Sequence, residues 1–343
     1  MGLLDLIFGF KRKATNISPR GGKLDEEITF LDKFIRISSI DFFGQFRKSP
    51  SGEWIVGWSD SNPEGSAGGH RQSGHGKYVL YNTVEKKLVL QGNLERPNSA
   101  DVANNGSFSI EDWHFGSDLS GTFYVFSCSG DELVKKKLSA NILNSAISNN
   151  GLLAVCQTAN SPSGGDGNLL VGFRVKDGHE IFSINPCTGW AEKYEFDEDH
   201  SRFGVVLKGV GTFFYNSEGV LLEPQEFDLA RLRSDRYEVF LFASEEIVKS
   251  DQSSQELVEE ALRASLKALT TGAEKNNQWK AMALKVKGLA NERLGKDDEA
   301  LEAFNAALEI NPKMGVKRNV NAIRKRLNNK NSKNECQAPK CKE

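Results

Sequence analysis

Short apolar runs, each preceded by a polar turn, recur along the first two thirds of the chain. The clearest is Ser148-Asn149-Asn150-Gly151 leading into Leu152-Leu153-Ala154-Val155-Cys156. Ser49-Pro50-Ser51-Gly52 leads in the same way into Trp54-Ile55-Val56-Gly57-Trp58, and Ala103-Asn104-Asn105-Gly106 into Phe108-Ser109-Ile110. A fourth copy, Asp197-Glu198-Asp199-His200, precedes Phe203-Gly204-Val205-Val206-Leu207 with His200 in the glycine position. Glycine suits that position because it adopts φ > 0 without a Cβ clash. The turns recur about every 45 to 54 residues, a period that signals a repeat architecture. Each run is followed by two more strands: 77–81 with 87–90, 122–126 with 132–134, 169–173 with 180–182, and 212–215 with 220–222. Ser129-Gly130-Asp131, Lys176-Asp177-Gly178 and Ser217-Glu218-Gly219 supply hairpin turns between them. The repeating unit is thus a small antiparallel meander. Such a sheet cannot bury both faces alone, and copies packed radially make a β-propeller. Four repeats are expected, with a fifth assembled from 34–37 and 237–242 to close the ring; an irregular β-sandwich is the other reading.

From Ser253 the period changes. Ser253-x-x-Glu256 has the form of a capping box, and Leu257, Ala261, Leu262, Leu266 and Leu269 follow at helical spacing up to Gly272. Further helices are expected over 278–293, 298–311 and 316–328. The organisation expected is a mixed one. An amphipathic N-terminal segment and linker (1–27) precede an all-β propeller-like domain (28–244). A small all-α array (253–328) and a basic disordered tail (329–343) follow.

Leu284, Gly288, Leu289, Leu294, Gly295, Ala300, Phe304, Ala307, Leu308 and Pro312 stand at the spacing GLAxxxLGxxDEALEAFxxALxINP. In this stretch the chain resembles a tetratricopeptide repeat. The physics agrees: Gly288 and Ala300 are small where two antiparallel helices cross, while Phe304, Ala307 and Leu308 share one face beside Leu284. Gly295 ends the first helix and Pro312 blocks extension of the second. Asn291 replaces the family's usual aromatic, and Lys287 stands where leucine is common. The resemblance implies a concave groove lined by Met282, Lys285, Leu289 and Glu292 that binds a protein or peptide segment. The β repeats are similar, more loosely, to WD40-like propeller blades, without the Trp-Asp and Gly-His signatures at blade ends.

Composition changes this picture little. The chain has 343 residues, enough for two domains, and a net charge of −2. From Pro312 onward, however, ten basic side chains face only two acids. A basic end suits an acidic partner, a membrane surface or a solvated helix; nucleic acid is not the expected partner. Five cysteines, an odd number in a long chain, do not make a disulfide framework and suit a reducing compartment. No apolar run reaches the length of a membrane-spanning helix. Residues 1–13, MGLLDLIFGFKRK, place apolar residues before Lys11-Arg12-Lys13, the reverse of a secretory signal. That stretch suits contact with a membrane interface, docking on the helical domain, or disorder. The expected location is cytoplasmic, with peripheral membrane contact through 1–13 left open.

Catalytic and cofactor motifs are absent from the sequence. Gly69-x₄-Gly74 is followed by His75 instead of lysine, and His70 with His75 makes an incomplete metal-ligand set. Cys336-x₄-Cys341 supplies half a zinc site. Glu111-Asp112-Trp113-His114, expected on a blade loop, is the densest polar cluster. No metal or cofactor is expected, and the reading is a non-enzymatic interaction scaffold. The alternative is a ligand-binding or enzymatic propeller with its site at the central channel, served by the loop 59–76 and by 111–114.

Overall fold

The computed structural model describes residues 28–61, 73–115, 119–161 and 165–337. The segment 1–13, Gly69, His70 and Cys341, all singled out above, lie outside them. Among the described residues the strands form four antiparallel sheets. Sheet one runs β1 (Ile28–Leu31), β2 (Phe34–Ile37), β3 (Phe42–Lys48), β4 (Trp54–Ser59), β5 (Gly76–Asn82) and β6 (Lys87–Leu94). Sheet two holds β7 (Pro97–Val102), β8 (Phe108–Trp113), β9 (Gly121–Phe126) and β10 (Glu132–Leu138). Sheet three holds β11 (Ile142–Ile147), β12 (Leu153–Thr158), β13 (Leu170–Arg174) and β14 (His179–Ile184). Sheet four holds β15 (Lys193–Asp197), β16 (Arg202–Leu207) and β17 (Gly211–Tyr215), and a single bridge joins Tyr215 to Leu221.

The recurring turn closes the first hairpin of each repeat. In it the fourth amide donates to the first carbonyl: Gly52 to Ser49 (2.9 Å), Gly106 to Ala103 (3.1 Å), Gly151 to Ser148 (2.9 Å) and Ser201 to Glu198 (3.3 Å). The fourth residue has φ of 76°, 79°, 73° and 51° in turn. In the last copy the left-handed residue is therefore Ser201, one place beyond His200; His200 instead lies 2.9 Å from the Asp197 carboxylate. Neighbouring turns are tied together. The Ser51 amide donates to Asn104 Oδ1 (2.8 Å), the Asn104 amide to the Asn149 carbonyl (2.8 Å), and the Asn150 amide to Glu198 Oε1 (2.9 Å). The polar residues of the repeat thus join one sheet to the next.

Apolar faces fill the space between sheets. Val56, Leu80 and Leu90 meet Val102, Phe108 and Ile110 between sheets one and two. Phe123, Val125 and Leu138 meet Ile142, Cys156 and Phe173 between sheets two and three. The first strands of the repeats, β3, β7, β11 and β15, are neighbours in series. The result is a propeller-like arrangement of four sheets.

Two expectations are corrected here. Each of the first three repeats has a strand ahead of its turn that the apolar runs did not reveal, so the repeat has four strands rather than three. No fifth repeat is assembled from 34–37 and 237–242. Phe34–Ile37 pairs with β1 and β3 inside sheet one, and residues 237–242 are helical.

The helices are α1 (Pro224–Arg233), α2 (Tyr237–Lys249), α3 (Gln255–Ala268), α4 (Asn277–Arg293), α5 (Asp297–Ile310) and α6 (Lys317–Gln337). In α2 the run Tyr-Glu-Val-Phe-Leu-Phe looks strand-like, but Phe240, Leu241, Ser244, Ile247 and Val248 are buried at helical spacing. The change from strand to helix falls at Leu222–Glu223, so the end of the all-β domain expected at residue 244 lies inside α2. Ser254, not Ser253, caps α3, accepting the Leu257 amide. Asn276 caps α4 through the Gln278 and Trp279 amides, and Gly295, at φ 74°, ends the turn after it. Helix α6 runs on to Gln337, into the stretch expected to be disordered tail.

Helices α4 and α5 pack as a hairpin around Phe304, which is fully buried. A Cβ on Gly288 would lie 2.4 Å from the Phe304 ring, so only glycine permits this approach. Phe304 and Ala300 continue into a cluster with Val316, Val320 and Ile323 at the start of α6. The chain divides into two compact units: residues up to Leu207 with Thr212–Leu222, and Lys208–Gly211 with the chain from Glu223.

Candidate functional sites

The first strands of the four repeats surround a cavity of about 840 Å³ in the β unit. Each contributes polar side chains: Gln45 and Arg47 from β3, Asn98 and Asp101 from β7, Asn144 and Ser145 from β11, and Tyr194 from β15. Glu111 enters from β8 and is 3% exposed. Pairing of β7 with β8 sets Ser99 opposite Glu111 and Asp101 opposite Ser109, so both acids share one face of sheet two. Ser145 Oγ donates to Glu111 Oε1 at 2.8 Å, and Asn98 adds a second hydrogen bond. Burial outweighs both and pushes the Glu111 carboxyl up to about 7. Burial also raises Asp101, against Arg47 Nη1 at 3.7 Å and the amides of Ile147 and Val102.

The opposite wall is a fixed network. The Tyr194 hydroxyl donates to Asn144 Oδ1 (2.5 Å) and lies 3.1 Å from Gln157 Oε1. The two amide groups donate in turn to the Ala191 and Gly189 carbonyls (2.6 and 2.9 Å). Networks satisfied in this way hold a wall rigid.

Asp112 alternates with Glu111 along β8 and so lies on the other face of the sheet. There it accepts the Arg96 and Glu95 amides (2.6 and 3.3 Å), and burial pushes it up to about 7. The His114 ring is held by the Ser120 and Thr122 hydroxyls, 2.9 Å each, and burial lowers its pKa. The cluster 111–114 is therefore strand and strand end, divided between two faces, and its carboxylates do not converge on one substrate. Of the loop 59–76, residues 62–72 lie outside the described residues.

The helical unit carries the second site. Phe242 and Glu245 of α2 stand beside Trp279 and Lys285 of α4. The Phe242 and Trp279 rings meet edge to face at 5.5 Å, and Lys285 Nζ lies 2.7 Å from Glu245 Oε1. Tyr237 packs on the other edge of Trp279 at 5.7 Å. Burial alone would raise the Glu245 carboxyl; hydrogen bonds from Lys249 and Lys285 hold it below its ordinary value instead. Toward α6, Glu292 accepts from Asn319 (2.7 Å) and from Arg326 (3.0 Å), which also holds Asp297 at 2.8 Å. Met282 and Leu289 are half-buried against the core of the unit. Of the four groove residues inferred from the sequence, two are therefore packed against the core of the unit and two are engaged with α2 and α6. Phe242, 54% exposed, is the large apolar side chain that face presents.

Sequence reasoning missed Arg47, Asp101, Asn144, Ser145, Tyr194 and Phe242. The available signal was polar residues alternating on the strand just ahead of each turn.

Among the described residues no group of three or more His, Cys, Asp or Glu side chains is placed to hold a metal ion, and no helix is long and apolar enough to cross a membrane. No protein-family model matches the chain, and no curated protein does. Among solved structures, a chain of the "Crystal Structure of Mitotic Checkpoint Complex" aligns at 10% identity with a TM-score of 0.36. The match spans 55% of this chain and 58% of that one. The architecture accordingly rests on the strand order and packing described above: antiparallel β-sheets first, helices after.

Proposed function

We propose that this protein is a non-catalytic interaction scaffold in which a tetratricopeptide-like helical array grips a peptide segment of a partner protein. The propeller-like unit is a second binding platform. One observation carries the reading: Phe242 is exposed on α2 against Trp279 of α4, beside the Glu245–Lys285 pair. An aromatic anchor flanked by paired charges is the composition of a protein-binding surface. Met282 and Leu289 give such a groove an apolar floor, and Lys285 and Glu292 can exchange their internal partners for polar groups of a bound segment. The motif spacing from Leu284 to Pro312 and the close Gly288–Phe304 contact support the tetratricopeptide-like assignment.

Selection of peptides from a random library on the full-length protein tests the proposal. The selected peptides should share a motif, and Phe242→Glu should weaken their binding by more than tenfold while leaving the melting temperature unchanged. Equal binding by the variant, or no selected motif, would contradict the assignment.

A further inference from the structure

We propose that the axial cavity of the β unit is a binding site for an organic cation, with a primary ammonium or guanidinium group seated on Glu111. This inference is independent of the helical groove.

A carboxylate offers about four lone-pair positions. Ser145 and Asn98 fill two of those on Glu111, and both donors are neutral. Glu111 is buried yet lines the cavity, so its remaining acceptor capacity is directed at whatever occupies that space. A second acid, Asp101, stands on the same sheet face. Its cation, Arg47, lies 3.7 Å away with its side chain 49% exposed. That contact lowers the Asp101 carboxyl but does not offset its burial, so the acid is only partly neutralised. The deep end of the cavity is therefore lined by two buried carboxyl groups and one half-exposed guanidinium, a setting rich in acceptors and short of positive charge. At the mouth the signs balance, with Asp32 and Glu192 against Lys33 and Lys193, all four exposed.

These charges select the ligand. An anion would meet two carboxylates. A neutral molecule would leave burial free to hold Glu111 in its protonated form and would use none of the attraction its ionised form offers. Two carboxyl groups are a weak set for a bare metal ion, and among the described residues no three His, Cys, Asp or Glu side chains converge. An organic cation supplies both the charge and the N–H donors that Glu111, Asp101 and the hydroxyl and amide oxygens of the wall accept. The volume lies within the range of small-molecule sites.

Binding is coupled to protons. Glu111 sits near half-protonation at neutral pH, and a cation favours its ionised form. The charged and titratable groups around it are Arg47 from β3, Asp101 from β7, Cys156 from β12 and Tyr194 from β15. Burial raises the pKa of Cys156 and of Tyr194, so both stay neutral across this range.

Calorimetric titration of the full chain tests the site. The probes are agmatine, as a free guanidinium, and the tripeptide Gly-Arg-Gly, as a guanidinium on a chain; acetate and pentanamide serve as anionic and neutral controls. Saturable binding of either cationic probe is expected, tighter at pH 8 than at pH 6. Glu111→Gln should weaken it about tenfold or more, equivalent to about 1.4 kcal/mol, and Asp101→Asn should weaken it less. Tighter binding of agmatine would assign the site to free small-molecule cations, and tighter binding of the tripeptide to a basic side chain of a peptide; both support the cation site. Absence of saturable binding by both probes, equal binding by wild type and Glu111→Gln, or stronger binding of acetate or pentanamide would overturn it. Circular dichroism of Glu111→Gln separates lost binding from lost folding. If that variant does not fold, Ser145→Ala, which removes a donor to Glu111, takes its place; a changed affinity for the cationic probes is expected, and an unchanged one would overturn the seat on Glu111.

Discussion

Gly288 and Phe304 fix the distance between α4 and α5 through one contact, and they fail in different ways. Phe304→Ala removes a fully buried ring and should cost about 3 to 5 kcal/mol in chemical denaturation. Gly288→Ala gains about 1 kcal/mol of helix propensity but drives its Cβ to 2.4 Å from that ring, which is enclosed and cannot retreat. Overpacking of this kind costs about 1 to 3 kcal/mol, so the variant should be less stable in spite of its better helix former. Glu111 makes a different statement, about pH. Its folded pKa of about 7 lies above its unfolded value near 4.5. The stability tied to the neutral form is thus fully present below about pH 4.5 and is lost as pH rises through about 7, by roughly 3 kcal/mol. Asp112, also raised to about 7, adds a loss of the same sign. Thermal melts at pH 5 and pH 8 check this: Glu111→Gln should narrow the difference between them, and an unchanged difference would mean that the carboxyl is not held neutral.

Elements differ in how legibly the sequence writes them. The second and third strands of each repeat lie between packed sheets and carry apolar runs, as in Leu153 to Cys156 or Phe123 to Phe126, so their places were clear. The first strands face the axial cavity. Asn98, Ser99 and Asp101 on β7, or Asn144 and Ser145 on β11, break the apolar pattern because a polar axis requires them. The cavity went unread for the same reason: its residues come from strands that polarity concealed. Helix α2 misled in the other direction, since its aromatic and β-branched residues suit a strand while their burial follows a helical period. The helical spacing of apolar residues in α4 and α5, with Gly295 and Pro312 as stops, gave both helices to within a residue or so at each end. Turn chemistry was equally plain, and it allows a graded prediction. Gly52 and Gly151 both have φ near 75°, but a Cβ on Gly52 meets nothing while one on Gly151 would lie 2.5 Å from the Asn105 side chain. Gly52→Ala should cost about 1 kcal/mol from backbone strain alone, and Gly151→Ala clearly more; equal losses would deny that these turns lock neighbouring sheets.

At the scale of the whole molecule two units with separate cores follow one another, and each holds one candidate site. The division at Leu222–Glu223 directs limited proteolysis there, with release of a stable helical fragment. Cutting between 244 and 249 is disfavoured, because that stretch is the buried end of α2. The central claim is that the face formed by α2, α4 and α6 holds a partner protein. A photo-crosslinking residue placed at Phe242 of the full-length chain, in an extract of its native cells, addresses it most directly. The same residue at Glu299, exposed at the start of α5, is the control. A discrete protein adduct from position 242 that is absent from position 299 is the result predicted; the same adducts from both positions, or none from 242, would contradict the account.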